Sequence, residues 1–252
     1  MELYPLSKPL NISHKKKLSM TDIEIEKYYF DLRQYYLSLP FNWKKVKTEE
    51  RHYRSFSFLF NIFAVMRRTV VLNREELTDE NGVIFVSNHI GSYDQFYIAR
   101  LLEKKRLVPH YLVKEKVISF FFRWNFIYKH TGVVVVNQKS IKSWQDAKQE
   151  MAKYLLHKRN VFIFPEGTRR GEENIGDFSS SVAQVAQETG AKIVTMAIKN
   201  SARLFQKRPI ILVGQTVEVG ATEDIRTATE RIKTAVLDAY SKIIIYEGRE
   251  MQ

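Results

Sequence analysis

From Val70 onward the chain alternates short β-branched runs with longer stretches of helical periodicity. Val70–Asn73, Val83–Ser87, Val108–Val113, Val133–Asn137, Val161–Phe164, Ile193–Ile198 and Ile210–Val219 read as strands. Their apolar positions are nearly continuous, the mark of strands covered on both faces. Helices are predicted over 92–103, 115–130, 140–158, 180–189 and 223–243. The last is clearest, with Ile225, Ala228, Ile232, Ala235, Val236, Ala239, Tyr240 and Ile243 recurring at helical spacing. Such alternation predicts an α/β fold: a single layered αβα domain over 69–252 with a mixed, mostly parallel sheet.

Upstream the texture differs. Residues 1–20 read as irregular. Residues 21–39 read as a helix, with Thr21 and Glu24 forming a capping box and Pro40 stopping the run. Residues 41–53 are polar and basic and read as a connector, and 54–68 read as a second helix. An N-terminal helical segment over 1–68 thus precedes the domain. The two most apolar stretches are Ser55–Met66, flanked by Arg54, Arg67 and Arg68, and Val117–Tyr128, broken by Arg123. Each has two readings: a segment lying in a membrane interface, where aromatic and basic residues border a short apolar run, or a buried core helix. Neither reaches the ~18 residues of a spanning helix. Residues 1–20 lack the apolar core of a secretory signal.

Composition narrows the partners. The chain has 252 residues, 44% hydrophobic and 27% charged, which is ordinary globular material. It has no Cys, so disulfides, Cys-based zinc sites and a cysteine nucleophile are excluded. Its net charge of +12 favours an anionic partner: nucleic acid, an anionic membrane surface or a phosphorylated substrate. No G-x-G-x-x-G, Walker loop, H-E-x-x-H or G-x-S-x-G is present. Nor does the basic charge gather into a nucleic-acid-binding signature.

Chemistry concentrates in two places. Ser87-Asn88-His89-Ile90-Gly91-Ser92-Tyr93-Asp94 joins a predicted strand to a predicted helix, where α/β proteins place ligands. Ser92 can cap that helix and put Asp94 in its first turn, at the positive end of the helix dipole. There the carboxylate can accept an imidazole N–H and leave His89 to take a proton from a substrate hydroxyl. The alternative is a turn that these polar residues merely satisfy. Phe164-Pro165-Glu166-Gly167-Thr168-Arg169-Arg170 follows another strand. Its arginine suits forked recognition of phosphate, against the plainer reading of a solvated polar turn.

Together, N-H-x-x-x-x-D and F-P-E-G-T-R resemble the 1-acylglycerol-3-phosphate acyltransferase family over about residues 70–215. Lys114-Glu115-Lys116, the aromatic run to Trp124 and Gly132–Val136 resemble the family's second block. The resemblance implies transfer of an acyl chain to the free hydroxyl of a lysophospholipid acceptor, 1-acylglycerol-3-phosphate, giving phosphatidate. The donor is a thioester of acyl carrier protein or CoA, and no metal or bound cofactor is implied. It casts His89 as general base and Asp94 as its partner. Glu166, Gly167, Thr168 and Arg169 hold the acceptor, with Lys114 and Arg170 as further candidates and backbone N–H groups near Gly167 as oxyanion donors. It also implies work at the cytoplasmic face of a membrane, as a peripheral or monotopic protein, with no role for nucleic acid. Three departures stand out. Asn137 and Gln138 replace an acidic residue and an arginine that holds the acceptor's phosphate, with Lys139 as a possible substitute. Ser179–Ser181 follow Phe178 where the family has F-K-x-G, and Thr195 stands where it has proline. A changed acceptor, or a non-catalytic membrane-binding protein, are the alternatives.

Overall fold

β-Branched residues in unbroken runs leave no wet face on a strand, and Ile84–Ser87, Val134–Val136 and Asn160–Ile163 are buried at every position. The computed structural model describes residues 38–114, 132–171, 174–202 and 207–250, with scattered positions between 19 and 35. In chain order the elements are α1 (Trp43–Met66), β1 (Val70–Leu72), one 3₁₀ turn (Arg74–Glu76), β2 (Ile84–Ser87), α2 (Asp94–Lys104), β3 (Pro109–Lys114), β4 (Val134–Val136), α3 (Ile141–Leu156), β5 (Asn160–Ile163), α4 (Ser181–Thr189), β6 (Ile193–Lys199), β7 (Ile210–Val217) and α5 (Ile225–Glu250). By their internal contacts the residues form two compact units: Met1–Tyr53 with Tyr111–Lys153, and Arg54–His110 with Tyr154–Gln252.

In the larger unit five strands lie in the order β1-β7-β6-β2-β5. All neighbours are parallel except β6 and β7. β2 is central and wholly buried, between β6 and β5. In the smaller unit β3 and β4 pair in parallel, Leu112 opposite Val134. The fold is therefore α/β with a mixed, mostly parallel sheet, as the pattern predicts.

The long helix α5 packs on β6 and β7. It buries Ala228, Ile232, Ala235, Val236, Ala239 and Ile243, one stripe at helical spacing. Ala239 and Ile243 join Ala197, Ile210 and Leu212 in one cluster. The helix runs to Glu250, past the predicted end at 243. Ile244 and Ile245 lie off the buried face and are exposed, while Tyr246 carries the stripe one step further against the same cluster. Polar contacts hold the extension: Glu247 accepts from Lys199 Nζ and from Asn200 Nδ2, each at 2.6 Å. A register shift between Val194 and Met196 breaks the β6–β7 ladder. Thr195 sits in it and donates its hydroxyl to the Gln215 carbonyl at 2.8 Å. Gly214 is required beside it, because a Cβ there would stand 2.6 Å from Thr195 Oγ1.

The N-terminal half gives one correction. Residues 41–53, predicted as a connector, are mostly the first half of α1. Asn42 caps it, its Oδ1 accepting the Lys45 N–H at 3.0 Å. The buried stripe is Val46, Glu49 and Tyr53, at helical spacing. Its middle rung is a glutamate, partnered by Lys45 at 3.5 Å, and burial pushes that carboxyl's pKa up. The capping box forms: Thr21 N–H donates to Glu24 Oε2 at 2.8 Å, and Glu24 N–H to Thr21 Oγ1 at 3.3 Å. The described positions from Ile23 to Ser38 are helical. The predicted helix 115–130, with Val117–Tyr128, lies outside the described residues.

Candidate active site

Strand pairing explains why two distant motifs meet. β2 and β5 are parallel neighbours with Val86 opposite Ile163. Parallel strands end on the same edge, so three residues further along each chain bring His89 and Glu166 together. The His89 N–H donates to Glu166 Oε1 at 2.8 Å, and the Arg170 N–H donates to the His89 carbonyl at 3.0 Å. The site thus stands at the carboxyl edge of a parallel sheet, where α/β folds place ligands.

His89 leaves β2 and meets Asp94 at the start of α2. Nδ1 lies 2.7 Å from Asp94 Oδ2. That oxygen also accepts the Ile90 N–H at 2.7 Å and the Gly91 N–H at 3.0 Å, and Oδ1 accepts the Gly91 N–H at 3.1 Å. Asp94 is fully buried in the first turn of α2, as predicted, where backbone amides and the positive end of the helix meet its carboxyl group. A carboxylate acceptor pairs with the tautomer that bears its proton on Nδ1, and in a neutral imidazole of that tautomer Nε2 carries the lone pair. The imidazole stacks on Phe164, centroids 4.1 Å apart and planes inclined by 14°, and its side chain keeps 16% exposure. It is oriented on one side and open enough to meet a substrate. Gly91 permits close approach of the chain at Ser201 and Ala202: a Cβ there would lie 2.7 Å from Ala202 Cα.

One local expectation changes. Ser92 does not cap α2: Tyr93 is the cap residue, and its side chain makes no capping bond to the helix end. The Ser92 hydroxyl instead accepts from Arg169 Nη1 at 2.6 Å. That bond draws the arginine of the second motif to the turn of the first. In the second motif the Gly167 N–H donates to the Phe164 carbonyl at 3.0 Å and closes the turn. Gly167 adopts φ +62°, which favours glycine. Thr168 and Arg169 are exposed. Lys114 ends β3 in the smaller unit.

A family model described as Acyltransferase matches residues 68–199, more than half the chain. The chain belongs to the acyltransferase family. It is 26% identical over 152 residues to the 1-acyl-sn-glycerol-3-phosphate acyltransferase of Borreliella burgdorferi, covering 60% of this chain and 59% of that protein. It is 26% identical over 167 residues to a probable 1-acyl-sn-glycerol-3-phosphate acyltransferase of Mycoplasma pneumoniae, covering 66% and 61%. The chain therefore spans about three fifths of these relatives. The crystal structure of the 1-acyl-sn-glycerophosphate acyltransferase PlsC from Thermotoga maritima superposes with a TM-score of 0.57 at 14% identity, over 88% of this chain and 92% of that one. That likeness is one of fold.

The residue beside the histidine also has a duty that sequence reasoning missed. Asn88 is buried, accepting the Ile198 N–H at 2.8 Å on Oδ1 and donating Nδ2 to the Ile198 carbonyl at 3.0 Å. The last β2–β6 backbone pair is Ser87 with Met196. The Asn88 amide imitates a further strand residue and pins the chain just before His89. Two polar residues, Ser87 and Asn88, directly after the apolar run Val83–Val86 were the available signal. Asn88→Ala strands both Ile198 groups and is expected to cost about 2–4 kcal/mol of stability. Chemical denaturation measures it, and a loss below 0.5 kcal/mol, the ordinary scale of a surface change, would refute the clamp.

Proposed function

We propose that the protein moves an acyl chain from an acyl carrier protein or CoA thioester to the free hydroxyl of 1-acylglycerol-3-phosphate, forming phosphatidate. The hydrogen bond between His89 Nδ1 and Asp94, on a carboxylate already held by two backbone amides, carries the reading. His89 Nε2 takes the hydroxyl proton as the oxygen attacks the thioester carbonyl. The tetrahedral intermediate collapses, the carbon–sulfur bond breaks, and the imidazolium returns its proton to the departing thiolate. The new ester keeps the acceptor oxygen, and the enzyme ends as it began. General-base help of this kind is typically worth about 10²–10⁴-fold. The names of the two relatives support the acceptor.

Arg169 is the group for the acceptor phosphate, with Gly167 and Thr168 shaping the turn that presents it. Its guanidinium is tethered at one nitrogen by Ser92 and otherwise exposed, so little order must be gained on binding. Arg169→Ala is expected to raise the acceptor KM by about 10–100-fold, the loss of one or two charge-assisted hydrogen bonds, with donor KM unchanged. Initial rates with each substrate varied in turn check this, and an unaltered acceptor KM would remove Arg169 from the role.

We place the reaction at the cytoplasmic face of a membrane. Ile62, Val65 and Met66 are exposed on the last turns of α1, beside the exposed Arg68. Apolar side chains bordered by basic ones suit an anionic bilayer surface, where each basic residue adds about 1 kcal/mol. Among the described residues no helix is long and apolar enough to cross a membrane.

A second reading changes the acceptor alone. Asn137 accepts the Lys139 N–H at 2.9 Å on its own side chain, and Gln138 and Lys139 are exposed. This turn leads into α3 without the family's arginine. A panel of lysolipids with labelled palmitoyl thioesters separates the two: turnover on lysophosphatidate supports the first, turnover only on another lysolipid the second.

A further inference from the structure

Glu166 stands in the motif assigned to acceptor binding, yet its carboxylate is engaged at both ends. Oε1 accepts the His89 N–H at 2.8 Å and Oε2 accepts the Gly176 N–H at 2.9 Å. The residue is buried, with 9% of its surface exposed. Hydrogen bonds between main-chain groups run beside it, from Arg170 N–H to the His89 carbonyl and from Ser179 N–H to the Pro165 carbonyl at 2.9 Å. On its far side the Gly176 loop is tied to α5, where Lys233 Nζ meets Asp177 Oδ1 at 2.8 Å. The carboxylate thus holds one main-chain amide on each oxygen and ties two separate loops together. A carboxylate is also poorly suited to face an acceptor phosphate directly.

We propose that Glu166 is a positioning residue, a clamp that fixes the main chain of the catalytic base His89 and couples it to the loop around Gly176. The inference rests on the acyl-transfer reading above. Its physical content is selective. Glu166 grips the histidine through the backbone, so its loss displaces the ring without removing any atom that touches substrate. A glutamine keeps the size and one oxygen but turns an N–H toward one of the two amides, so one grip becomes a donor-to-donor contact. An aspartate keeps the charge and, one methylene shorter, reaches one amide only.

The experiment combines steady-state kinetics with hydrogen exchange of assigned amides on the full chain. Glu166→Gln is expected to lower kcat by about 10–100-fold, the scale of a small misplacement of a catalytic group. The acceptor KM should stay within about threefold. The amides of His89 and Gly176 are protected in the wild type and exchange at least about tenfold faster in the variant, while β2 and β6 amides keep their rates. Glu166→Asp gives the same pattern and stands in if the glutamine variant does not fold. A raised acceptor KM at unchanged kcat would overturn the proposal and return Glu166 to the acceptor. Unprotected His89 and Gly176 amides in the wild type would also overturn it. If the wild type turns over no acceptor, the proposed function fails on its own. The clamp is then judged by exchange alone: faster exchange confined to the two amides sustains it, and protection that survives substitution rejects it.

Discussion

Replacing His89 by alanine is expected to lower acyl transfer by about 10²–10⁴-fold while leaving the protein folded. The large effect follows from chemistry. A hydroxyl is a poor nucleophile unless its proton leaves as it attacks, and in the pair His89–Asp94 only the imidazole can take it. Asp94 is fully buried and already receives three N–H groups. The small structural effect follows from the same geometry. The ring makes one hydrogen bond and one stacking contact, with Phe164. Without it Asp94 keeps the Ile90 and Gly91 amides, so the turn into α2 persists. The main-chain bonds of residue 89, to Glu166 and from Arg170, need no side chain. Single-turnover transfer from a labelled acyl thioester, beside a thermal melt, separates the two effects. Transfer within a few-fold of wild type would remove His89 from the base role. A collapsed melt would show that the ring supports the fold.

Much of this arrangement was legible because the informative runs are buried on both faces. Ile84–Val86 and Val161–Ile163 could hardly be anything but interior strands, and they are. The spacing from His89 to Asp94 carried its chemistry for a local reason: both ends belong to one strand–turn–helix passage. Reading failed where the determinant was a partner distant in sequence. The register Val86–Ile163 sets Glu166 against His89, and Arg169 against Ser92, and no local pattern encodes it. Helix α1 failed for a different reason. Its buried stripe passes through Glu49, so an ion pair with Lys45 occupies the place where a periodic reading looks for leucine. Propensity favoured helix across those lysines and glutamates, but hydrophobic periodicity did not.

Asp94→Asn tests the pair from the other side, and a loss of about 10²–10⁴-fold in kcat is expected. Asparagine can place its one oxygen where Oδ2 lies, keeping the bonds from His89, Ile90 and Gly91. Its NH₂ then takes the place of Oδ1 and faces the Gly91 N–H, which Oδ1 accepts at 3.1 Å. The alternative rotamer points the NH₂ at Nδ1, which forces the imidazole into the other tautomer and puts a proton on Nε2, the atom needed as base. The first choice loses the negative charge that stabilises the imidazolium, and the second removes the base, so both slow the chemical step. Burial raises the structural cost above that of His89→Ala, since a donor-to-donor contact in a fully buried turn is worth about 1–3 kcal/mol. Acceptor KM should barely move, because Asp94 has no exposed atom to offer a substrate. The discriminating measurement is kcat beside acceptor KM, together with the histidine ring ¹⁵N shifts that report the tautomer. Wild-type kcat in the folded variant would mean that Asp94 serves only to cap the turn, and that His89 acts without it.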